Sequence, residues 1–282
     1  MQQTEWLRDA SDGLRLHTQL WAPERAPVAA VTLVHGYGEH CGRYRHVAEA
    51  LTARGFAVVT GDHRGHGRSP GPRGHTPSYE QLMDDIGLMV RAAAERYPGL
   101  PQFIYGHSMG GNFTLNYVLR RRPSLAGVVV TSPWLRLAFA PPSWRVLLAR
   151  SIDRFYPALI QDTGQNLDGL SRDPQVAAAW QADPLVHSKM SARLFTASYA
   201  AGEWALAHAH EWVLPLLLMH GGADPVTSAE ASREFAASAP GCVFKVWDGL
   251  RHEMHNEPEQ AQVIAAIADW LEARVPAPAT AR

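Results

Sequence analysis

Ser108 stands in Gly106-His107-Ser108-Met109-Gly110, a G-x-S-x-G pentad between the apolar stretch PQFIYGH (101–107) and the helix-like GNFTLNYVLRRRP (111–123). A serine set where a strand turns sharply into a helix has its hydroxyl lifted clear of the sheet. The amide of the next residue, here Met109, then faces the oxygen of any carbonyl that the hydroxyl attacks. Side chains in place of the flanking glycines would strike neighbouring elements. The competing reading is a turn or helix-capping serine, which needs neither glycine. The chemistry is nucleophilic attack on an acyl carbon, and near neutral pH a serine hydroxyl does this only beside a base that a carboxylate orients.

An elbow of this kind is followed along the chain by the acid and then the histidine. Asp224, in LLLMHGGADPVTS, fits the acid, since two glycines and a proline build a loop after an apolar run. Asp248 also follows an apolar run, but it precedes the candidate histidine by only four residues and reads as a turn former with Gly249. WDGLRHEMHNE offers His252 and His255; His252, earlier in the loop, is assigned as the base and His255 as its neighbour. The second oxyanion donor is expected from the loop His35-Gly36-Tyr37-Gly38, by the amide of Tyr37, with Gly36 and Gly38 close alternatives.

These residues need a frame. EWLRDASDGLRLHTQLWAP predicts a β-hairpin turning at Ser11-Asp12-Gly13. Short apolar runs at 28–36, 56–62, 101–107, 126–133, 214–224 and 242–249 read as buried parallel strands. Segments of helical periodicity lie between them, and a last helix runs near PEQAQVIAAIADWLEARV before a frayed tail, PAPATAR. Such alternation implies a mostly parallel sheet covered on both faces. Residues 134–211 break the rhythm with helical pieces and no convincing buried strand. They read as an inserted helical cap over the carboxyl edge of the sheet, between core segments 1–133 and 212–282; helices packed beside the sheet are the alternative.

Composition narrows the partners. The net charge of −1 among 282 residues argues against nucleic acid, which calls for a clear basic excess. Two distant cysteines, Cys41 and Cys242, build neither a disulfide framework nor a CxxC pair. HEMH (252–255) lacks the HExxH spacing of a zinc site, and Asp62, His63 and His66 in DHRGHGRS read as a packing loop, so neither metal nor cofactor is expected. MQQTEWLRDA has no basic stretch followed by an apolar one, and no run approaches the ~20 apolar residues of a membrane span. A cytoplasmic protein, at most peripheral to a membrane, is expected.

Together, HGYGEHCGRY (35–44), DHRGHGRSPGPRGH (62–75), YGHSMGGN (105–112), SRDPQVAAAWQADPLVH (171–187), HGGADPVTS (220–228) and GLRHEMHNEP (249–258) resemble the monoacylglycerol lipase and lysophospholipase family. The resemblance covers nearly the whole chain and implies an α/β-hydrolase fold with a helical lid. It also implies Ser108, Asp224 and His252 as the catalytic set, with an oxyanion hole from Tyr37 and Met109. A tyrosine at position 37, where the family is often small, is expected to narrow the site. Glu39, Arg43 and His255 match the polar corner that holds the glycerol end of a monoglyceride, though Glu39 and Arg43 could equally form an ion pair. The implied reaction is hydrolysis of a single-chain lipid ester. Lysophospholipase, broad carboxylesterase or acyltransferase activity would use the same residues, and a non-catalytic receptor on this fold would tolerate their loss. The cap, with WLRLAFAPPSW (134–144), is the expected acyl tunnel or simply its own core. Arg136, Arg145, Arg150 and Arg154 suit transient contact with membrane or micelle, against which Asp153 counts.

Overall fold

A computed structural model describes residues 1–276; the expected fraying of the tail from Ala277 onward concerns residues outside that range. An eight-stranded sheet forms the centre, in the order β1 (Gln2–Asp9), β2 (Arg15–Ala22), β4 (Phe56–Gly61), β3 (Ala29–Val34), β5 (Gln102–His107), β6 (Gly127–Thr131), β9 (Leu216–Gly221), β10 (Cys242–Trp247). β1 and β2 form the predicted antiparallel hairpin and β2 joins β4 antiparallel, while every pairing from β4 to β10 is parallel. β3, β4 and β6 are buried along their whole length, as continuous apolar runs such as AAVTLV dictate when both faces of a sheet are covered.

Two apolar layers do the covering. One face holds α2 (Tyr79–Arg96), α3 (Met109–Arg121) and α7 (Ala229–Ser238), with Met83, Ile86, Phe113 and Phe235 fully buried. The other holds α1 (Arg45–Ala53) and α8 (Gln260–Glu272), which bury Val47, Leu51, Ile267 and Leu271 against Val31 and Val129. Because β3 leads through α1 to β4 on one side and β4 leads through α2 to β5 on the other, strand order reverses at β3. The loops leaving β3 and β5 therefore diverge and open a crevice at the carboxyl edge of the sheet, where ligands bind in open α/β folds.

Between β6 and β9 lie α4 (Ser143–Phe155), β7 (Ile160–Asp162), α5 (Pro174–Ala182), β8 (Lys189–Ser191) and α6 (Ala192–Ala207). The interval does contain strands: β7 and β8 pair antiparallel over three residues each, too short to leave a period-two signature. α6 packs on α3, where the Asn112 Nδ2 donates to the carbonyls of Trp134 and Ser198 and the Asn116 Nδ2 to that of Ala201. α4 buries no residue and turns Trp144, Leu147 and Leu148 outward, each 51–65% exposed. Those three occupy one helical face by their spacing, so they are not the interior of the interval.

Candidate active site

β5 ends and α3 begins around Ser108, whose backbone lies at φ 55° and ψ −118°, a strained conformation for a residue with a side chain. Its neighbours hold it there: the Ser108 amide donates to the Thr131 carbonyl at 3.0 Å, and its own carbonyl accepts from Asn112 and Trp134 amides. A Cβ at Gly106 would overlap the Thr114 hydroxyl, and one at Gly110 would overlap the Val34 and His35 carbonyls. Both glycines are thus demanded by close approach.

His252 and Asp224 meet Ser108 from the loops after β10 and β9. The Ser108 hydroxyl lies 2.8 Å from His252 Nε2, and His252 Nδ1 lies 2.8 Å from Asp224 Oδ2. Asp224 Oδ1 accepts from the Val226 and Thr227 amides, and Oδ2 lies 2.9 Å from Thr227 Oγ1 and 3.1 Å from His220 Nε2. Burial disfavours the Asp224 carboxylate, yet the His252 and His220 rings hold it well below the usual carboxyl range. Burial likewise opposes charging of His252, but the Asp224 carboxylate outweighs it and raises His252 above the ordinary imidazole value. The arrangement fixes the tautomer of His252 with the proton on Nδ1 and leaves Nε2 as the acceptor facing the Ser108 hydroxyl.

The loop expected to supply the second oxyanion donor follows β3. Gly36 is removed as a donor because its amide already donates to Glu39 Oε1 at 2.6 Å. The Tyr37 and Met109 amides have no acceptor among the described residues. His35 braces the turn, its Nδ1 donating to the Gly36 carbonyl at 2.8 Å while Nε2 accepts from the His63 amide. The Tyr37 hydroxyl donates to Thr163 Oγ1 at 3.1 Å, and that hydroxyl donates to the Ser188 carbonyl. The Gly38 carbonyl accepts from the His187 amide at 2.8 Å, and His40 Nε2 lies 2.8 Å from Asp183 Oδ2. The loop is therefore laced to residues 163–188.

A cavity of about 400 Å³ opens over Ser108 and His252, with Tyr37 and Glu39 on one side and Leu137, Met190 and Phe195 forming an apolar wall. A larger hollow of about 620 Å³ near Met1, Glu24 and Arg45 is a surface depression bearing none of this chemistry.

The expected polar corner is divided. Glu39 borders the cavity, but Arg43 does not; its guanidinium donates to Glu39 Oε2 at 2.6 Å and to both oxygens of Glu253 at 2.8 and 2.7 Å. The ion pair anticipated as an alternative is thus present, with a second carboxylate. His255 is outside the cavity lining, stacked on Tyr44 with ring centroids 4.8 Å apart, and neither ring nitrogen has a hydrogen-bond partner among the described residues. Glu253, His220 and Thr227 escaped the sequence reading. Glu253 carried a signal, an acidic residue beside the assigned base; His220 carried none, being a polar residue inside an apolar strand.

His17 Nδ1, Cys41 Sγ and an Asp62 oxygen lie within 4.8 Å of one another, the one metal-like grouping among the described residues. Its donors are otherwise engaged. Asp62 accepts the amides of Cys41 and Arg68, and the Cys41 thiol donates to Gln19 Oε1. Burial also raises the Cys41 thiol well above its usual value, so the set is a hydrogen-bonded core cluster that holds the loop after β4.

A strained serine elbow, a histidine and a carboxylate at the carboxyl edge of this sheet define a serine hydrolase of the α/β-hydrolase fold. The chain belongs to the family described as serine aminopeptidase, S33, whose model matches residues 25–259. It is 35% identical over 262 residues to a monoacylglycerol lipase of Mycolicibacterium smegmatis, with 92% of this chain and 93% of the relative covered. An uncharacterized abhydrolase domain-containing protein of Dictyostelium discoideum is 34% identical over 269 residues; the match takes in 94% of this chain but spans only 28% of that longer protein. The crystal structure of Paleococcus ferrophilus monoacylglycerol lipase superposes with a TM-score of 0.84 at 34% identity, covering 92% of this chain and 99% of the other.

Proposed function

We propose that this protein is a carboxylic ester hydrolase that cleaves monoacylglycerols to fatty acid and glycerol. The observation that carries the reading is the unbroken relay from Ser108 Oγ through His252 to Asp224 beneath a cavity with an apolar wall. Its two lipase relatives, alike over nearly their full length, favour a single-chain lipid ester.

In this mechanism Ser108 Oγ bonds to the ester carbon as its proton passes to His252 Nε2. The carbonyl electrons move to oxygen, where the Tyr37 and Met109 amides stabilise them, each by ~3 kcal/mol. The C–O bond to the alcohol then breaks, and His252 returns the proton to the leaving oxygen. Water adds to the acyl-serine by the mirror sequence, with His252 again accepting and returning a proton, and releases the fatty acid. Asp224 holds the imidazole tautomer throughout.

Residues 134–211 serve in this reading as a cap, with Leu137, Met190 and Phe195 receiving the acyl chain. The outward stripe of Trp144, Leu147 and Leu148 on α4 meets the membrane or micelle surface that presents the substrate. The reading places this contact at the cytoplasmic side; no helix among the described residues is long and apolar enough to cross a membrane.

The test is a substrate panel on purified protein, comparing kcat/KM for monoacylglycerols of graded length, triacylglycerol, lysophospholipid and short p-nitrophenyl esters, with Ser108→Ala as the blank. Monoacylglycerol should lead and Ser108→Ala should be silent. A lead for lysophospholipid would move the protein to that activity, and turnover retained by Ser108→Ala would sink the mechanism.

A further inference from the structure

We propose that Arg43 is a positioning residue that holds the oxyanion loop and the base loop in register, acting through two carboxylates rather than on the substrate. The inference rests on Ser108 and His252 being the nucleophile and base.

The geometry is a buried bridge. On one side Arg43 Nη1 donates to Glu39 Oε2 at 2.6 Å, while Glu39 Oε1 accepts the Gly36 amide at 2.6 Å and the Tyr44 hydroxyl at 2.7 Å. Gly36 immediately precedes Tyr37, so this carboxylate fixes the His35–Gly36 peptide, one before the peptide from which the oxyanion donor projects. On the other side the fork of Arg43 meets both oxygens of Glu253, the residue directly after His252, and Glu253 Oε2 also accepts from Asn256 Nδ2 at 2.7 Å. The backbone of the base loop is pinned separately, by the Glu253 amide donating to the Leu170 carbonyl at 2.7 Å. One guanidinium thus spans loops that are 210 residues apart in sequence.

Three features favour positioning over headgroup binding. Arg43 is not among the residues lining the cavity, and its side chain is only 12% exposed. Its donors are directed at carboxylates, as a planar fork prefers. The carboxylates themselves are almost closed to solvent, at 3% and 4% side-chain exposure. Burial and the neighbouring Glu253 keep Glu39 above the usual carboxyl range despite Arg43, whereas for Glu253 Arg43 outweighs burial and holds it below. Without Arg43 the two carboxylates lose the cation between them, and their mutual repulsion favours separation of the loops. A displacement of even an ångström between oxyanion donor and base is costly to the rate.

The experiment measures kcat and KM for Arg43→Gln and Arg43→Lys on two esters: a monoacylglycerol, and a p-nitrophenyl ester of the same acyl chain, whose leaving group has no glycerol hydroxyls. Positioning predicts that Arg43→Gln lowers kcat on both by a similar factor, ~30-fold or more, with KM within ~3-fold, and that Arg43→Lys, which keeps the charge but not the fork, recovers part of it. Affinity for a transition-state mimic, an alkyl trifluoromethyl ketone of the same chain length, should fall by the factor lost in kcat/KM, while inhibition by the fatty-acid product stays within ~3-fold. A loss confined to the monoacylglycerol, or a mimic affinity that stays put, would overturn the proposal. Should Arg43→Gln not fold, Glu253→Gln, which keeps an acceptor for the fork, carries the same two-ester comparison. Wild-type protein without activity on either ester would instead refute the proposed function.

Discussion

Gly110 lies so close against the carbonyl oxygen of His35 that a methyl group on its Cα would overlap it. The first turn of α3, which carries Ser108 and Met109, is thereby seated on the strand end that leads into the oxyanion loop. The proposed donor and nucleophile thus share one backbone contact.

Gly110→Ala should therefore cost ~1–3 kcal/mol by overpacking and lower kcat by ~100-fold or more, since Ser108 moves with the turn. Gly99 is the comparison, with a φ of +79° but open space around it. Gly99→Ala should cost about 1 kcal/mol and leave kcat intact. Urea denaturation and ester hydrolysis on the pair would decide; equal effects on activity would refute the seating.

In the proposed mechanism His252 must be neutral to act, and the Asp224 carboxylate raises it against the effect of burial. The acid limb of kcat/KM should accordingly titrate above the ~6.5 of a free imidazole. Asp224→Asn should remove that upward pull and cost ~10⁴ in kcat through loss of the tautomer. A pH–rate profile with its acid limb below pH 6 in the wild type would contradict the electrostatics.

Stability should fall on the acid side. Burial holds His255 down to about 3 and His63 to about 4, against ~6.5 in an unfolded chain. Between those values the unfolded chain binds protons that the folded one cannot, so the stability is complete above ~6.5 and lost as pH falls. Each group accounts for up to ~1.4 kcal/mol per pH unit. His17 and His252 are raised and act in the opposite sense, but His35, His66 and His107 are also depressed, all by burial first. The urea midpoint should drop between pH 7.5 and 5.5, and more gently in His255→Phe, whose ring can keep the stack on Tyr44. A midpoint independent of pH would rule this out.

The outward face of α4 should be separable from the chemistry. Changing both Leu147 and Leu148 to Ser removes apolar surface contributing up to ~1–2 kcal/mol per side chain on contact with lipid. Sedimentation with phosphatidylcholine vesicles should weaken by ~10-fold or more, while kcat/KM on a dissolved p-nitrophenyl ester stays within ~2-fold. Unchanged vesicle binding would mean that α4 is not the contact.

The inner parallel strands were legible because each is a continuous apolar run, and two-sided burial requires that pattern; β10, read from its sequence as buried, is instead an edge strand with no fully buried residue. Ser108, Asp224 and His252 were legible because chain order and loop chemistry restrict the choice. β7 and β8 were not, since three residues cannot display a period. The docking of α6 on α3 was hidden as well, since only the contacts of Asn112 and Asn116 with the Ser198 and Ala201 carbonyls reveal that face. Arg43 was visible as a charge near the site, but its second partner lies at Glu253, beyond the reach of local pattern.

The lacing of Tyr37, Gly38 and His40 to Thr163, His187 and Asp183 bears on how such molecules can be recombined. A chimera cut at the ends of the interval, near residues 134 and 211, would exchange half of every one of those bonds. Cuts closer to the ends of α4 would leave them whole and swap only an outward helix tied back through Asp153 to Arg193 and Thr196. In the proposed reading, the segment to exchange when testing lipid preference is then smaller than the whole interval, because Thr163, Asp183 and His187 have to stay with the loop they brace.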